Sequence, residues 1–106
     1  MYSIIPSEKF KKDYKKLVKK FPSLKKELLD LNETLQENPT HGTPLGNNTY
    51  KIRVAIKSKV KGKSGGSRVI TYVVAENEEI YLLTIYDKSD FDTIDDKSIE
   101  QIIDNL

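Results

Sequence analysis

Residues 50–86 carry the pattern that decides the fold: YKIRVAIKSKVKGKSGGSRVITYVVAENEEIYLLTIY. Residues 50–57 alternate apolar and polar side chains, which predicts a half-buried strand. Its apolar positions on one side are Ile52, Val54 and Ile56. Residues 67–74 and 80–86 are apolar on both faces, so we expect these two strands inside the sheet rather than at its exposed edge. Hairpin-length turns join the three strands, which makes neighbouring strands antiparallel.

Two helices are predicted upstream, because apolar residues there recur at helical spacing. The first follows Ser7, a favourable capping residue, and ends at Pro22, since proline lacks an amide donor. Its apolar stripe comprises Phe10, Tyr14, Leu17, Val18 and Phe21. The second begins beside Ser23 and stops at Asn38-Pro39; its stripe comprises Leu24, Leu28, Leu31 and Leu35. The joint between the helices is so short that they must fold back as a hairpin.

The remaining segments complete the order β-α-α-β-β-β-α. Residues 2–5 form a short strand that Pro6 stops, and the Gly, Pro and Asn content of residues 40–49 predicts a loop. Asp95 can cap a last helix, whose apolar stripe is Ile99, Ile102, Ile103 and Leu106. We therefore expect one α+β domain over residues 1–106: a mostly antiparallel twisted sheet, an N-terminal helical hairpin packed on it, and a C-terminal helix.

The charges are unevenly distributed along the chain. Residues 1–75 carry 16 Lys and Arg against 6 Asp and Glu, whereas residues 76–106 carry 2 against 10. This asymmetry favours a basic face that binds a polyanion, although a chance distribution of charge is the alternative.

The absence of cysteine and the single histidine, His41, argue against a zinc site, so we expect no metal or other cofactor. We expect a cytoplasmic protein, because no apolar run is long enough to span a membrane and the N-terminal residues resemble no secretory signal.

Cationic side chains gather on the open face of the predicted sheet. Lys51 and Arg53 are two residues apart and project from the same side of one strand. Arg68 begins the next strand, and Lys88 follows the last strand just after Tyr86. The turn between the first two strands adds a rim of lysines: Lys57, Lys59, Lys61 and Lys63. We expect the strand cations to converge on one concave region, whereas His41 lies in a polar loop and is expected to be inert. The alternative is that these cations are solvated surface residues.

Such a cluster suits cleavage of RNA by its own 2′-hydroxyl. The reaction needs the hydroxyl held in line, the non-bridging phosphate oxygens neutralised and the leaving 5′-oxygen protonated. An arginine fork meets phosphate bidentately, and concentrated positive charge stabilises the charge that develops in the transition state. A lysine among other cations can serve as a base or an acid. A ribonuclease that uses no metal and no histidine is therefore physically possible.

Three strings in the chain resemble the RelE/ParE superfamily of bacterial toxins, most closely its HigB-like branch. They are YKIRVAIKSK at residues 50–59, GKSGGSRVITYV at residues 62–73 and IYLLTIYDKSD at residues 80–90. The resemblance implies a toxin of a type II toxin–antitoxin pair, with metal-independent cleavage of messenger RNA in the ribosomal A site. It also implies an antitoxin partner, which in some relatives docks where the last helix lies; ordinary packing of that helix is the alternative.

The resemblance also assigns roles to residues. It places Lys51, Arg53 and Arg68 where RelE-like members carry cations that grip phosphate and stabilise the transition state. Lys88 matches the basic residue after the last strand, but the family pattern continues with arginine and this chain with serine. No tyrosine follows Tyr86, whereas the family has a tyrosine base in this region, so Tyr86 can stand in for it only with a different geometry. Two alternatives remain open: a ParE-like protein that poisons DNA gyrase, and an inactive relic that binds an antitoxin.

Overall fold

The fold is the expected α+β arrangement with one additional strand. The computed structural model describes residues 1–58, 66–91 and 93–106. The helices and strands are β1 (Ser3–Pro6), α1 (Glu8–Lys20), α2 (Leu24–Glu37), β2 (Thr43–Gly46), β3 (Thr49–Val54), β4 (Ser67–Val74), β5 (Glu79–Asp87) and α3 (Asp96–Asp104). A single 3₁₀ turn at Ala75–Asn77 connects β4 to β5.

The strands form one sheet in the order β1-β5-β4-β3-β2. The first strand pairs parallel with β5, and the other three pairings are antiparallel, as expected for a meander. The two strands whose sequences are apolar on both faces, β4 and β5, are interior strands, which confirms the prediction. Their burial on both sides explains why neither shows a simple alternation.

The additional strand, β2, lies within residues 40–49, which were predicted to be loop. It pairs with β3 through a two-residue turn at Asn47 and Asn48, both of which adopt positive φ angles (53° and 63°). This turn geometry matches the twist of an antiparallel pair, and asparagine tolerates it well. Pro44 sits within β2, which is acceptable because β2 is an edge strand. The prediction was wrong here because Gly, Pro and Asn also build short edge hairpins.

The two faces of the sheet are covered differently. The helical hairpin α1–α2 covers one face, where it buries Phe10, Phe21, Leu24, Leu31, Leu35, Ile52, Val54, Ile56, Val69, Val73, Ile80 and Ile85 in one cluster. The shorter α3 packs on the opposite face over Ile70, Leu83 and Tyr86, where its own Ile99 and Ile102 are buried. The last helix thus packs against the sheet, and it leaves the end of that face near Arg53 open.

Two of the three helices begin at the predicted capping side chains. The Ser7 hydroxyl accepts a hydrogen bond from the Phe10 amide (3.0 Å), and the Asp95 carboxylate accepts one from the Ser98 amide (2.8 Å). Each bond satisfies an amide that the first helical turn leaves without a partner. These caps fix where α1 leaves β1 and where α3 returns onto the sheet.

Candidate functional site

A row of three side chains crosses the sheet beside its open end. Arg53 on β3 lies opposite Arg68 on β4, and Arg68 in turn lies opposite Tyr86 on β5. Lys51 precedes Arg53 by two residues and therefore projects from the same face. That face is the one away from the helical hairpin, because the alternate residues of β3 are buried on the hairpin side. The register of the meander thus brings together cations from separate strands.

A pocket of about 450 Å³ opens at this end of the sheet. Its described lining residues are His41, Gly42, Thr43, Lys51, Arg53, Arg68 and Lys88. The three strand cations and Lys88, which were predicted to converge, therefore line one concavity. None of these lining residues is a carboxylate, so the pocket concentrates positive charge and suits an anion.

Arg68 is the most deeply placed of the four cations, with 3% of its surface exposed. Its Nη1 donates a hydrogen bond to the Ser67 carbonyl oxygen (3.1 Å), which helps to fix the guanidinium in the pocket wall. Arginine stays protonated in proteins, so this charge is permanent. A fixed, permanently charged fork needs little reorganisation when it meets a phosphate.

Lys88 reaches the pocket from the turn that follows β5. Its amide donates to the Gly66 carbonyl oxygen (3.0 Å), which ties this turn to the start of β4. The preceding Asp87 carboxylate accepts bonds from the amide and the hydroxyl of Ser89 (2.9 and 2.8 Å). These bonds order the backbone on both sides of Lys88 and so direct its side chain.

Tyr86, a predicted catalytic residue, lies beside the pocket and does not line it. Its side chain is 5% exposed, and its ring stacks on Phe91 with 4.4 Å between ring centroids and 18° between ring planes. It also belongs to the cluster beneath α3. The structure thus places the tyrosine next to Arg68 in the sheet register but turns its ring into a packed aromatic pair.

The predicted lysine rim is placed only in part. Lys57 is exposed and is not among the residues that line the pocket. Its backbone amide donates to the buried Glu27 carboxylate (2.7 Å), which anchors the chain at the end of the described part of this turn. Lys59, Lys61 and Lys63 lie outside the described residues.

His41 was expected to be inert, but it lines the pocket with the four cations. It arrives there because β2, the strand that was not predicted, carries Thr43 opposite Lys51 and brings the preceding residues alongside β3. Its amide donates to the Asn38 carbonyl oxygen (3.1 Å) at the end of α2. The Asn-Asn turn at residues 47–48 was the signal in the sequence that could have placed this histidine.

Tyr81, whose pKa is shifted, is not among the described residues that line the pocket. A hydrogen bond to Glu79 is the main cause that raises the pKa of Tyr81, whose hydroxyl donates to that carboxylate (3.0 Å). Within residues 1–58, 66–91 and 93–106, no three histidine or acidic side chains are grouped so that they could hold a metal ion. Nor does any helix of this part of the chain have the length and apolar character needed to cross a membrane.

Comparisons with known proteins agree with this geometry. The family model described as the RelE toxin of the RelE/RelB toxin–antitoxin system matches residues 8–104. The match includes both helices of the hairpin, the four strands β2–β5 and α3, and therefore every residue that lines the pocket.

The fold also matches a solved structure, that of the E. coli toxin RelE, an arginine-to-alanine double mutant in the free state. The two chains share 17% sequence identity, and the match covers 99% of this chain and 97% of that one with a TM-score of 0.59. At this identity the likeness concerns the fold, and the pocket residues have to be argued from their own chemistry.

Proposed function

Because this chain belongs to the RelE toxin family of toxin–antitoxin systems, we propose that it is an endoribonuclease that cleaves messenger RNA on the ribosome and so inhibits translation. The partner that this family implies is an antitoxin. The finer parts of the proposal are the nuclease activity, its dependence on the ribosome and its site of action in the cytoplasm. They follow from the chemistry of the pocket and from what the resemblance implies.

The pocket is the observation that carries the proposal. Four cations meet in a pocket of about 450 Å³, and its described lining residues include no carboxylate. We expect such a cationic concavity to bind a phosphodiester, because each cation can neutralise a phosphate oxygen. A gyrase-binding protein needs complementarity to a protein and has no need of converging guanidinium groups.

We propose a separate task for each cation. Arg53 and Arg68 face one another across adjacent strands, so their forks can hold the non-bridging oxygens of one phosphate. Lys51 adds a third charge from the same face of β3 and stabilises the negative charge that builds on phosphorus. Lys88 enters from the β5 side and can donate a proton to the leaving 5′-oxygen.

The proposed reaction is a transfer of the phosphodiester to the 2′-oxygen of the same RNA. The 2′-oxygen forms a bond to phosphorus, the bond from phosphorus to the 5′-oxygen breaks, and a 2′,3′-cyclic phosphate results. One proton leaves the 2′-hydroxyl and one reaches the 5′-oxygen, so a base and an acid are both needed. The protein positions the phosphate, neutralises it and moves these two protons.

The test is cleavage of message on programmed ribosomes, detected as new 5′ ends by primer extension, with blocked cell-free translation as a second readout. Arg68→Lys keeps the charge and removes the fork, and we expect cleavage to slow by about 10²-fold or more. Arg68→Ala should abolish cleavage. Because Arg68 is buried, circular dichroism is needed to check that this variant still folds. Lys26→Ala, an exposed lysine on α2 paired with Asp30 (3.6 Å), is the control and should cleave normally.

The outcomes separate the candidate functions. Undiminished cleavage in both Arg68 variants would contradict the site. Growth arrest with DNA breaks and intact message would favour the gyrase-poisoning alternative. Binding to the antitoxin without arrest or cleavage would indicate an inactive relic.

A further inference from the structure

We propose that His41 is the general base of this reaction and accepts the proton of the attacking 2′-hydroxyl. The inference rests on the proposed nuclease function and deepens it, because the four cations of the pocket account for charge neutralisation and for an acid. The proposed function uses all four in their protonated form, which has no lone pair to accept a proton, so the base remains to be assigned. Among the described lining residues, His41 carries an imidazole, the side chain that most often serves as a general base.

The backbone holds His41 at one side of the pocket. Its amide donates to the Asn38 carbonyl oxygen (3.1 Å), which fixes it to the end of α2. The next residue, Gly42, approaches β3 so closely that a Cβ placed there would lie 2.6 Å from the Lys51 carbonyl oxygen. The histidine is thereby confined beside the strand that carries Lys51 and Arg53, and its side chain is half-buried in the pocket wall.

The order of the strands places His41 and Lys88 on opposite sides of the pocket, as an in-line reaction needs for its base and its acid. His41 enters from the β2 side and Lys88 from the β5 side, while the two arginines lie on β3 and β4 between them. The attacking and leaving oxygens stand on opposite sides of phosphorus during in-line displacement. A base at one side of the pocket and an acid at the other, with cations between them, match that arrangement.

The proton transfers balance with this pair of residues. The neutral imidazole takes the 2′-hydroxyl proton as the 2′-oxygen bonds to phosphorus. The ammonium of Lys88 gives a proton to the 5′-oxygen as its bond to phosphorus breaks. The enzyme is left with a protonated histidine and a neutral lysine, and exchange with water restores both. No oxidant, reductant or second substrate is needed.

Among the described residues, the charged groups that line the pocket with His41 are Lys51 and Arg53 from β3, Arg68 from β4 and Lys88 from the turn after β5. The described lining residues include no carboxylate that would pair with a protonated imidazole. The base role requires the neutral ring, because a protonated imidazole has no lone pair to accept the 2′-hydroxyl proton. Cleavage should therefore weaken in acid, and this loss of rate should depend on His41.

Single-turnover cleavage of ribosome-bound message tests the inference with His41→Ala and His41→Gln. We expect the cleavage rate constant to fall by about 10²-fold or more in both variants, with unchanged affinity for the ribosome. Imidazole added to the buffer should restore part of the rate to His41→Ala. The loss of rate in acid that protonation of a catalytic imidazole causes should be present in the unmodified protein and should disappear in both variants.

The matched control is Thr40→Ala, which changes an exposed side chain in the same segment and should retain both the rate and the pH profile. A purely structural role for His41 would lower the rate without imidazole rescue and with the acidic limb of the pH profile intact, and that result overturns the inference. So does an unchanged rate in His41→Ala. If the unmodified protein cleaves no message, the proposed function fails and the base assignment falls with it; if it cleaves and the His41 variants cleave equally well, only the base assignment fails.

Discussion

Arg53 and Arg68 lie directly opposite each other on β3 and β4, so one cross-strand pair holds two permanent positive charges. Like charges at directly opposed positions destabilise a sheet by as much as about 1 kcal/mol. Arg53 is exposed and Arg68 is 3% exposed, so Arg53 can be removed without disturbing the core. The repulsion between the two guanidinium groups destabilises the free protein, and we expect an anion bound between them to relieve it.

Arg53→Thr should therefore stabilise the protein and weaken its activity. Removal of one charge relieves the repulsion, and threonine suits a strand, so we expect the free energy of unfolding to rise by about 0.5–1 kcal/mol in urea titrations at low salt. The gain should shrink in high salt, where repulsion between exposed charges is screened. Cleavage of ribosome-bound message should slow in the same variant.

Lys51→Thr is the matched control for that stability gain. Lys51 occupies the same face of β3 but lies opposite Ile70, so its replacement relieves no repulsion across the β3–β4 pair. We expect little change in the free energy of unfolding and no salt-dependent gain. Equal stabilisation by the two substitutions would show that strand propensity, and not the arginine pair, is responsible.

Most of the fold could be predicted because its signals are local. The alternation in β3 and the leucine stripe of α2 each indicate which side of the element is buried, and the apolar runs of β4 and β5 indicate burial on both faces. The missing strand, β2, is short, lies at the edge and contains Pro44, so its composition resembles that of a loop. Its pairing depends on two asparagines with positive φ; the Asn-Asn pair is a turn signal, but it is equally common in loops that form no strand.

Only those site residues whose positions follow from the strand register could be predicted. Lys51 and Arg53 share a face by simple alternation, and the antiparallel meander brings Arg68 beside them. His41 was missed because its place depends on β2. Tyr86 was expected to contribute to the chemistry, but its ring stacks on Phe91, a tertiary contact that no spacing along the chain indicates.

Thr71 and Thr84 form a natural pair for measuring the cost of a buried hydroxyl. Thr71 is fully buried on β4, and none of the described residues hydrogen-bonds its Oγ1. Thr84 is 3% exposed on β5, and its Oγ1 donates to the Asp13 carboxylate (2.7 Å). Thr71→Val should raise the free energy of unfolding by about 1 kcal/mol, because an unsatisfied polar group is removed at nearly constant shape.

Thr84→Val is the comparison, and it should lower the free energy of unfolding by about 1–3 kcal/mol, because it deletes a hydrogen bond to a charged acceptor. Both variants exchange the same atoms in neighbouring interior strands, so the effect of the hydroxyl on strand propensity cancels. Chemical denaturation of the two proteins in one buffer measures the difference. Destabilisation by Thr71→Val would mean that its hydroxyl has a partner such as a buried water.

The cap at the start of α3 should make that helix sensitive to acid. The Ser98 amide is the main cause that holds the pKa of Asp95 below its ordinary value of 3.8, and the Ser98 hydroxyl and Lys97 act in the same direction. A carboxylate whose pKa is lower in the folded than in the unfolded protein stabilises the folded state at pH values above its unfolded-state pKa. This stabilisation is lost as the pH falls through its folded-state pKa.

Asp95→Ala should consequently destabilise α3 at neutral pH, and its difference from the unmodified protein should shrink as the pH falls below the ordinary aspartate pKa of 3.8. Hydrogen exchange of the Ile99 amide, which donates to the Asp95 carbonyl oxygen (3.1 Å), reports on this turn directly. Asp104→Ala at the other end of α3 is the control; because the helix dipole disfavours negative charge there, it should not accelerate exchange. A pH-independent effect of Asp95→Ala would contradict the role of the charge.

Gly66 connects the stability of the sheet to the position of Lys88. It has a φ of +60°, and a Cβ at this position would lie 2.7 Å from the Val54 carbonyl oxygen and 2.9 Å from the Ile56 amide nitrogen. Its carbonyl oxygen accepts the Lys88 amide (3.0 Å). A side chain here has to push β3 away or move the residue itself, and either movement displaces the turn that carries Lys88 into the pocket.

Gly66→Ala is therefore expected to cost more than Gly46→Ala, although both residues have positive φ. At Gly46 (φ +91°) a Cβ meets nothing within 4 Å, so the cost is the backbone conformation alone, about 1–2 kcal/mol. At Gly66 overpacking against the β3 backbone adds about 1–3 kcal/mol. Urea titrations measure both costs, and cleavage assays at a temperature where each variant is folded should show a slower reaction for Gly66→Ala alone. Equal free energies of unfolding for the two variants would contradict the close approach of Gly66 to β3, and equal cleavage rates would contradict its role in placing Lys88.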